Sequence, residues 1–291
     1  MNARLNPLDD AALLRWPLPM PDPDGDKESR GHVLVVGGSP EMPGAAMLAA
    51  TAALRAGAGK LSVATGESVA QLVAATLPES RVVALPETAA GGLAPEGAAL
   101  LAPLARKLDA VLIGPGMQDE VAASAFVRAA LSHLPALPLV LDACAMAVVR
   151  GEPLARPLLL TPHAGEMAHL TGVEKTALQA DSLAAARSAA ACWQAIVAFK
   201  GAITHIARPD GTAWRHEGGN IGLGVSGSGD VLAGVIVGLI ARGASLEQAA
   251  AWGVALHARA GEALASRLGP LGYLAREIAD EIPRRMALFC R

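Results

Sequence analysis

A glycine-rich run that leads directly into an apolar segment is the feature that most restricts how this chain can fold. Six glycines lie between Gly218 and Asp230, and residues 231–240 behind them are apolar or glycine. Glycine allows positive φ angles and a close approach of the backbone to a ligand. The apolar segment predicts a buried helix with Ser228 or Asp230 as its N-cap.

A helix start beneath a glycine loop predicts an anion site. Its unpaired N–H groups and partial positive charge suit a phosphate group. Asp230 is the unexpected member, because a carboxylate repels a phosphate unless it has its own task. That task is either to take a proton from a hydroxyl that attacks phosphorus, or to hold a metal ion.

Other interpretations of the run compete with this one. A glycine-rich turn before a buried helix is often only a tight connection. Residues 222–227 match G-x-G-x-x-G, and Glu247 lies near the expected ribose-binding offset, but residues 215–220 before them do not read as a buried strand. A Walker loop is excluded, because no Gly-Lys-Ser/Thr follows the glycines.

Composition narrows the class of protein. The 291 residues carry a net charge of −3 and are 52% apolar, which gives no electrostatic footprint for nucleic acid or an anionic membrane. No apolar run is long enough to span a membrane and no signal peptide opens the chain, so we expect a cytoplasmic protein. Cys144, Cys192 and Cys290 are scattered and read as reduced thiols. Residues 1–291 are expected to form one domain, with residues 1–30 as a lead-in.

Apolar runs alternate with Ala-rich segments along the chain, which predicts an α/β fold. Strands are predicted at residues 32–36, 61–65, 82–85, 110–113, 139–141, 158–160 and 195–199, with a hairpin at 204–208 and 212–216. Helices are predicted at residues 45–56, 95–107, 176–193, 246–264 and 273–288, with a short capped helix within 6–14.

Glycine or polar residues follow consecutive strands of this pattern. They include residues 37–39, 114–116, Asp142 and residues 161–166. Because the carboxyl ends of parallel strands meet at one edge of a sheet, we expect a shared crevice there. Lys200 ends another buried strand and needs an anionic partner, which a nucleotide phosphate would supply.

His163 and Glu166 fall in the first turn of a predicted helix. A histidine at this place is often a cap, and a glutamate near a helix start is favoured electrostatically in any case. Both a structural role and a functional role stay open for these two side chains.

An ordered series of motifs carries a family resemblance: Gly37-Gly38-Ser39 with Gly44-Ala45, residues 54–59, Gly114-Pro115-Gly116, Asp142-Ala143, residues 162–166, Lys200-Gly201 with Thr204, Gly219-Asn220, residues 227–232 with Gly234, and His257 with Gly261. The series spans roughly Gly31 to Pro283 and resembles the NAD(P)H-hydrate dehydratase family. The resemblance implies a ribokinase-like three-layer α/β/α sandwich with a central, mostly parallel sheet.

The resemblance also implies an activity. It is the ADP-dependent dehydration of the S-epimer of hydrated NADH or NADPH, with release of AMP and phosphate. Mg²⁺ would act as cofactor and ADP as co-substrate. The resemblance further implies a homo-oligomer, a homotetramer by analogy, and a functional pairing with a separate NAD(P)H-hydrate epimerase.

Roles for individual residues follow from the same resemblance. They are substrate contacts by Ala45, Gly116, His163 and Asp230, nucleotide contacts by Lys200, Gly201, Ala202, Ile203, Thr204 and Gly229, and charge stabilisation by the N–H groups of Gly227, Ser228 and Gly229. Asp230 would be the catalytic base, and Glu166 would hold Mg²⁺ through water.

Four positions depart from the family pattern. Met42 stands where the family usually has Tyr, Val225-Ser226 where it has Thr-Gly, and Gln118 where Gly is frequent. Two alternatives to the dehydratase stay open: a small-molecule hydroxyl kinase of the same fold, and a non-catalytic nucleotide-binding protein.

Overall fold

A mostly parallel sheet forms the centre of the computed structural model, which describes residues 4–151 and 153–289. Within these ranges the sheet has ten strands: β1 (Leu5–Pro7), β2 (His32–Val36), β3 (Lys60–Gly66), β4 (Ser80–Leu85), β5 (Ala110–Ile113), β6 (Leu139–Leu141), β7 (Leu158–Leu160), β8 (Ile196–Phe199), β9 (Ile203–Ala207) and β10 (Ala213–Glu217). Their order across the sheet is β1-β10-β9-β8-β7-β6-β5-β2-β3-β4. Only β9 runs antiparallel to its neighbours, β8 and β10.

Helices cover both faces of this sheet. They are α1 (Asp10–Arg15), α2 (Pro43–Arg55), α3 (Ala70–Thr76), α4 (Glu120–His133), α5 (Ala164–Thr171), α6 (Lys175–Ala180), α7 (Ser182–Trp193), α8 (Ser228–Ala241), α9 (Leu246–Leu268) and α10 (Ala275–Ala287). Short 3-10 helices lie at Glu28–Arg30, Pro95–Leu101, Ala105–Lys107, Ala143–Arg150 and Ile221–Leu223. One apolar core packs α2, α8, α9 and α10 against the sheet, and a second packs α4, α5 and α7 against the opposite face. The predicted three-layer α/β/α arrangement is confirmed.

The buried apolar runs predicted the strands well. The strands at residues 32–36, 110–113, 139–141 and 158–160 are confirmed to the residue, and the hairpin around residues 209–211 is formed by β9 and β10. Buried parallel strands read as continuous apolar runs, which makes their boundaries easy to locate.

Two predicted helices are wrong because a single residue interrupts each of them. Residues 95–107 form two 3-10 helices, since Pro103 lacks an N–H and its ring clashes with the preceding turn. Residues 176–193 form α6 and α7, since the Asp181 side chain accepts the N–H of Ala184 and starts a new helix.

The N-terminal lead-in joins the sheet. Leu5–Pro7 pairs in parallel with β10, so only the second half of the helix predicted within residues 6–14 exists. Trp16 stacks on Trp214 with ring centroids 5.6 Å apart, and its carbonyl accepts the indole N–H of Trp252. These contacts fix the segment to the hairpin and to α9.

Helices α2 and α8 approach each other so closely that only glycine fits between them. A Cβ on Gly234 would lie 2.1 Å from the carbonyl oxygen of Ala49, and one on Gly238 would lie 2.4 Å from that of Ala53. Both contact positions advance by four residues along both helices, so the two helices run parallel in a fixed register. Four residues earlier, the same register sets Asp230 opposite Ala45.

We expect Gly234→Ala to lower the free energy of unfolding by ~2–4 kcal/mol, because the new methyl group would force the two backbones apart. Urea denaturation measures this. Gly44→Ala is the matched control, because a Cβ added there, in the first turn of α2, would meet open space. Its free energy of unfolding should stay within ~0.5 kcal/mol of the wild-type value. Equal stability of the two variants would contradict the close contact.

Candidate active site

Five neighbouring strands end in the residues that the sequence pattern singled out. Gly37 follows β2, Gly114 follows β5, Asp142 follows β6, Thr161 follows β7 and Lys200 follows β8. These strands are adjacent in the order β8-β7-β6-β5-β2. The predicted gathering of strand ends along one edge is therefore confirmed.

The start of α8 faces this edge, and no side chain caps its main-chain donors. Gly227 is the N-cap, with φ at +89°, and no side chain caps the helix. The prediction of Ser228 or Asp230 as N-cap is wrong, because the left-handed backbone that glycine readily adopts makes the turn one residue earlier. The hydroxyl of Ser228 instead contacts Nε2 of His257 at 3.0 Å.

The amides of this turn differ in what they can bind. The N–H of Ser228 donates to the carbonyl of Val225 at 3.2 Å. The N–H groups of Gly229 and Asp230 lie in the first helical turn, where the helix itself offers no acceptor. These two amides are therefore the ones that α8 presents to an anion.

His257, in α9, contacts the first residue of α8. It is buried, and burial lowers its pKa to about 4, so the ring is neutral. Its Nε2 lies 3.0 Å from the carbonyl oxygen of Ser228, which can only accept a hydrogen bond. Nε2 therefore carries the proton and ties the first residue of α8 to α9.

Lys200 is held among carboxylates. Its Nζ lies 3.5 Å from Oδ1 of Asp142 and 3.8 Å from Oε2 of Glu166. Burial opposes its charge, but Asp142, Glu166 and Asp230 outweigh burial and raise the pKa of Lys200. The expectation that a nucleotide phosphate supplies its partner is therefore incomplete, since the chain already supplies two. A Cβ on Gly229 would lie 3.3 Å from the same Nζ, which places this cation beside the start of α8.

Asp230 has the electrostatics of a base that works near neutral pH. Burial, reinforced by the charge of Asp142, raises its pKa to about 7; Lys200 lowers that pKa and Glu166 raises it. A general base is most effective when its pKa lies near the working pH. The Asp230 carboxyl is therefore able to accept a proton and also to release it.

The other side of the crevice is formed by the turn between β2 and α2. Gly116 has φ at +69°, and a Cβ on it would lie 2.4 Å from the carbonyl oxygen of Met42 and 2.7 Å from Cβ of Ala45. Gly116 and Ala45 are thus in contact, and the register of α2 and α8 brings Ala45 to the level of Asp230.

A cavity of about 760 Å³ opens beside the start of α8. Of the predicted site residues, Lys200, Gly201, Ala202, Thr204, His163, Ser228 and Gly229 line it. Its remaining walls include apolar Leu223, Leu232 and Val254. Ile203, Ala45, Gly116, Glu166, Gly227 and Asp230 lie outside its lining, so the structure separates the predicted nucleotide residues from most of the predicted substrate residues.

His163 and Glu166 form a capping box at the start of α5. Nδ1 of His163 accepts the N–H groups of Gly165 and Glu166, and Oε2 of Glu166 accepts the N–H of His163 at 2.8 Å. The structural role that the sequence left open is therefore present. His163 also lines the cavity, so its role as a cap does not remove it from the candidate site.

The carboxylates of the site do not form a complete set of ligands for Mg²⁺. Asp142, Glu166 and Asp230 surround Lys200, but no three His, Cys, Asp or Glu side chains in the described ranges are arranged to hold a metal ion. Mg²⁺ is commonly held by one or two carboxylates, water and substrate phosphates. The site therefore fits a magnesium ion carried mainly by nucleotide phosphates.

The positions that depart from the family pattern lie around the crevice. Met42 precedes α2 and is exposed, and Gln118 donates to Glu41 at 2.9 Å. The Val225 side chain packs on the core, while its carbonyl oxygen accepts the N–H of Ser228. Val225 thus holds the loop that precedes α8.

Two polar residues of the cavity received no individual role from the sequence, although Asn220 belongs to the Gly219-Asn220 motif of the family resemblance. His216 lies in a hairpin strand, and Asn220 is fixed by the hydroxyl of Tyr273, which is 53 residues away. The alternating pattern of the hairpin could have shown that His216 faces inward, but nothing local marks the contact with Tyr273.

Other sequence expectations can also be placed. Cys144 and Cys192 are free thiols, and burial raises the pKa of Cys144 to about 12; Cys290 lies outside the described residues. No helix in the described part of the chain is long and apolar enough to cross a membrane.

Comparison with known proteins places this arrangement in a family. A family model described as NAD(P)H-hydrate dehydratase matches residues 33–284. The ADP-dependent (S)-NAD(P)H-hydrate dehydratase of Xanthomonas campestris is 50% identical over 94% of this chain and 93% of its own length. The bifunctional NAD(P)H-hydrate repair enzyme Nnr of Moorella thermoacetica is 39% identical, and the match spans 94% of this chain and 52% of that enzyme.

Solved structures agree with the sequence match. The ADP/ATP-dependent NAD(P)H-hydrate dehydratase of Bacillus subtilis, co-crystallised with ATP and Mg²⁺, superposes with a TM-score of 0.84 at 34% identity, covering 99% of each chain. A ribokinase-like superfamily protein of Enterococcus faecalis has a TM-score of 0.84 at 25% identity over 98% of this chain and 96% of its own. The predicted ribokinase-like fold is confirmed, and the chain belongs to the NAD(P)H-hydrate dehydratase family.

Proposed function

We propose that this protein is an ADP-dependent (S)-NAD(P)H-hydrate dehydratase, which returns hydrated NADH or NADPH to the reduced dinucleotide and releases AMP and phosphate. One observation carries the proposal: a carboxyl with a pKa of about 7 stands at an uncapped helix start near the partly buried Lys200. The names of the Xanthomonas and Bacillus relatives support the reaction and the nucleotide.

The first step is phosphoryl transfer. The hydrate carries a hydroxyl on its saturated nicotinamide ring, and Asp230 takes the hydroxyl proton as the oxygen attacks the β-phosphorus of ADP, with AMP as leaving group. The N–H groups of Gly229 and Asp230 stabilise charge on the transferred group, since neither the helix nor a capping side chain supplies them with an acceptor. Gly227 provides the turn that exposes them, and Lys200 adds a fixed positive charge.

The second step expels phosphate from the ring. The lone pair of the ring nitrogen pushes out the phosphate group, and loss of a proton from the adjacent ring carbon restores the dihydropyridine. Phosphorylation is needed because hydroxide is a poor leaving group and phosphate a good one. We assign Ala45, Gly116 and His163 to substrate contacts.

The AMP portion of the nucleotide is proposed to lie against Lys200, Gly201, Ala202, Ile203 and Thr204. Mg²⁺ would neutralise charge between the phosphates, with Glu166 or Asp142 reaching it through water. Neither side chain would bind the ion without the phosphates.

Further proposals concern the protein as a whole. We propose one domain, a homo-oligomer, a homotetramer by family analogy, and a cytoplasmic location. We also propose functional pairing with a separate NAD(P)H-hydrate epimerase. The relatives named bifunctional repair enzymes support this pairing, because the match spans about half of their length.

The reaction is tested with hydrated NADH and either ADP or ATP. We expect recovery of the absorbance of reduced nicotinamide together with AMP from ADP, because the phosphorylated ring collapses to the dihydropyridine. Accumulation of a stable phosphoester would instead identify a hydroxyl kinase. Asp230→Asn should lower turnover at least ~1,000-fold while nucleotide affinity stays within a few-fold. Unchanged turnover would exclude Asp230 as the base.

The pH profile tests the electrostatics of Asp230. Because the base must be deprotonated, kcat/KM should rise with pH through an apparent pKa near 7 and level off above it. Asp142→Asn removes a charge that raises the pKa of Asp230, so this acidic limb should move down by roughly one pH unit.

The matched control for this profile is Asp24→Asn, which makes the same charge change at an exposed position far from the crevice in sequence. Its pH profile should overlay that of the wild type. Titration of the nucleotide contributes equally to every profile, so it does not affect the difference between variants. An acidic limb that stays in place in Asp142→Asn would contradict the coupling of the two carboxyls.

A further inference from the structure

A second cavity lies on the same edge of the sheet as the proposed active site. Its volume is about 330 Å³, and it is lined by residues 40–41, Ser68, residues 87–91 and Gln118. These segments follow β2, β3, β4 and β5, which are parallel, so their carboxyl ends meet at one edge. In the strand order, Asp142 at the end of β6 separates this cavity from the one beside β8 that is proposed to hold ADP. The proposed reaction centre therefore has a cavity on each side.

The hydrated dinucleotide is much longer than the ring that reacts. With ADP on the β8 side of Asp230, the rest of the substrate extends in the other direction, past Ala45 and Gly116. Because β3 is three strands away from β6, Ser68 lies ~14 Å along the edge from Asp142, at a spacing of ~4.8 Å per strand. This distance is comparable to the length of an extended dinucleotide. The second cavity thus lies where the far half of the substrate ends.

The start of α2 lies on this path and suits the pyrophosphate of the substrate. Met42 is the N-cap but its side chain makes no capping hydrogen bond, and Pro43 has no N–H. The helix offers no acceptor to the N–H groups of Gly44 and Ala45. A Cβ on Gly44 would meet nothing within 4 Å, so there is room for a ligand beside it. A helix start of this kind favours phosphate groups.

Beyond this helix start, two carboxylates line the cavity in fixed positions. Oε2 of Glu87 accepts the N–H of Ser68 at 2.9 Å, and its Oε1 accepts the Ser68 hydroxyl at 3.0 Å. Oε2 of Glu41 accepts Nε2 of Gln118 at 2.9 Å. Glu41 is exposed and Glu87 is partly exposed, so a ligand can reach both side chains. Because a carboxylate can accept about four hydrogen bonds, both groups keep the capacity to bind a ligand hydroxyl.

The charge of this cavity distinguishes between the two forms of the dinucleotide. No lysine or arginine is among the described residues that line it. In other dinucleotide-binding sites an acidic side chain binds the 2′-hydroxyl of the adenosine ribose, whereas an arginine accommodates a 2′-phosphate. Glu41 and Glu87 provide the first chemistry and oppose the second.

We propose that the second cavity binds the adenosine ribose of the hydrated dinucleotide, and that Glu41 and Glu87 select NADH hydrate over NADPH hydrate. The two carboxylates accept the ribose hydroxyls and repel a 2′-phosphate. This inference rests on the proposed function, which places the reacting ring at Asp230. It makes Glu41 and Glu87 specificity residues that act far from the transferred phosphoryl group.

The test compares the hydrates of NADH and NADPH as substrates of each protein at saturating ADP. The measured quantity is the ratio of kcat/KM for the two hydrates, so differences in the amount of folded enzyme cancel. The wild type should favour NADH hydrate by ~10-fold or more, because the cavity sets two carboxylates against the 2′-phosphate.

Glu41→Lys reverses one of these charges at an exposed position, so the variant should fold. Its ratio should move by ~10-fold or more toward NADPH hydrate, because the new ammonium group attracts the 2′-phosphate. Loss of the bond to Gln118 alone would affect both hydrates alike. The matched control is Glu79→Lys, which makes the same charge change at an exposed residue just before β4, on the opposite edge of the sheet. Its ratio should equal that of the wild type.

The ribose contact is tested separately with the hydrate of an NADH analogue that lacks the 2′-hydroxyl of its adenosine. On the wild type its KM should be ~10-fold higher than that of NADH hydrate, with kcat kept, because one hydrogen bond to a carboxylate is lost. An unchanged KM would overturn the contact between the ribose and the carboxylates.

The outcomes distinguish this inference from the proposed function. A wild type that uses the two hydrates equally, or prefers NADPH hydrate, would overturn the selection by Glu41 and Glu87. The same conclusion would follow if Glu41→Lys and Glu79→Lys had equal ratios. If the wild type returns neither hydrate to the reduced dinucleotide, the proposed function itself fails.

Discussion

The close contact of α2 and α8 is the constraint on which the rest of the site depends. Gly234 and Gly238 remove the side chains that would separate the two backbones, so the helices lie side by side in register. Their starting points, one beside Gly116 and one carrying Asp230, consequently form the two sides of one crevice. Interiors are too densely packed to absorb an added methyl group there without movement. A packing rule thus sets the spacing between the proposed substrate contacts and the proposed base.

Electrostatics then determine what this spacing can do. The burial that makes Asp230 reluctant to ionise brings its pKa to about 7, and Lys200 keeps that pKa from rising further. Asp142 and Glu166 stabilise the charged form of Lys200, so this cation is in position before any nucleotide binds. A network arranged in advance needs little reorganisation during phosphoryl transfer. The uncapped amides at the start of α8 complete this arrangement.

The sequence predicts the frame of this protein better than its fine contacts. Buried strands such as His32–Val36 are continuous apolar runs, so the edge that collects their ends follows from topology. The predictions that are wrong concern local structure. Pro103 and Asp181 each interrupt a predicted helix, and Gly227, instead of Ser228 or Asp230, is the N-cap of α8. The orientation of Asn220 depends on a distant tyrosine, and no local pattern encodes such a pairing.

The central claim is that Asp230 and the start of α8 act together on a phosphoryl group and a hydroxyl. A crystal structure of Asp230→Asn with ADP and hydrated NADH tests it most directly, since this variant should bind both without turnover. We expect the β-phosphate to contact the N–H groups of residues 229 and 230, with the hydrate hydroxyl at hydrogen-bond distance from the residue 230 side chain. Phosphates bound away from the start of α8, or a hydroxyl facing elsewhere, would contradict it.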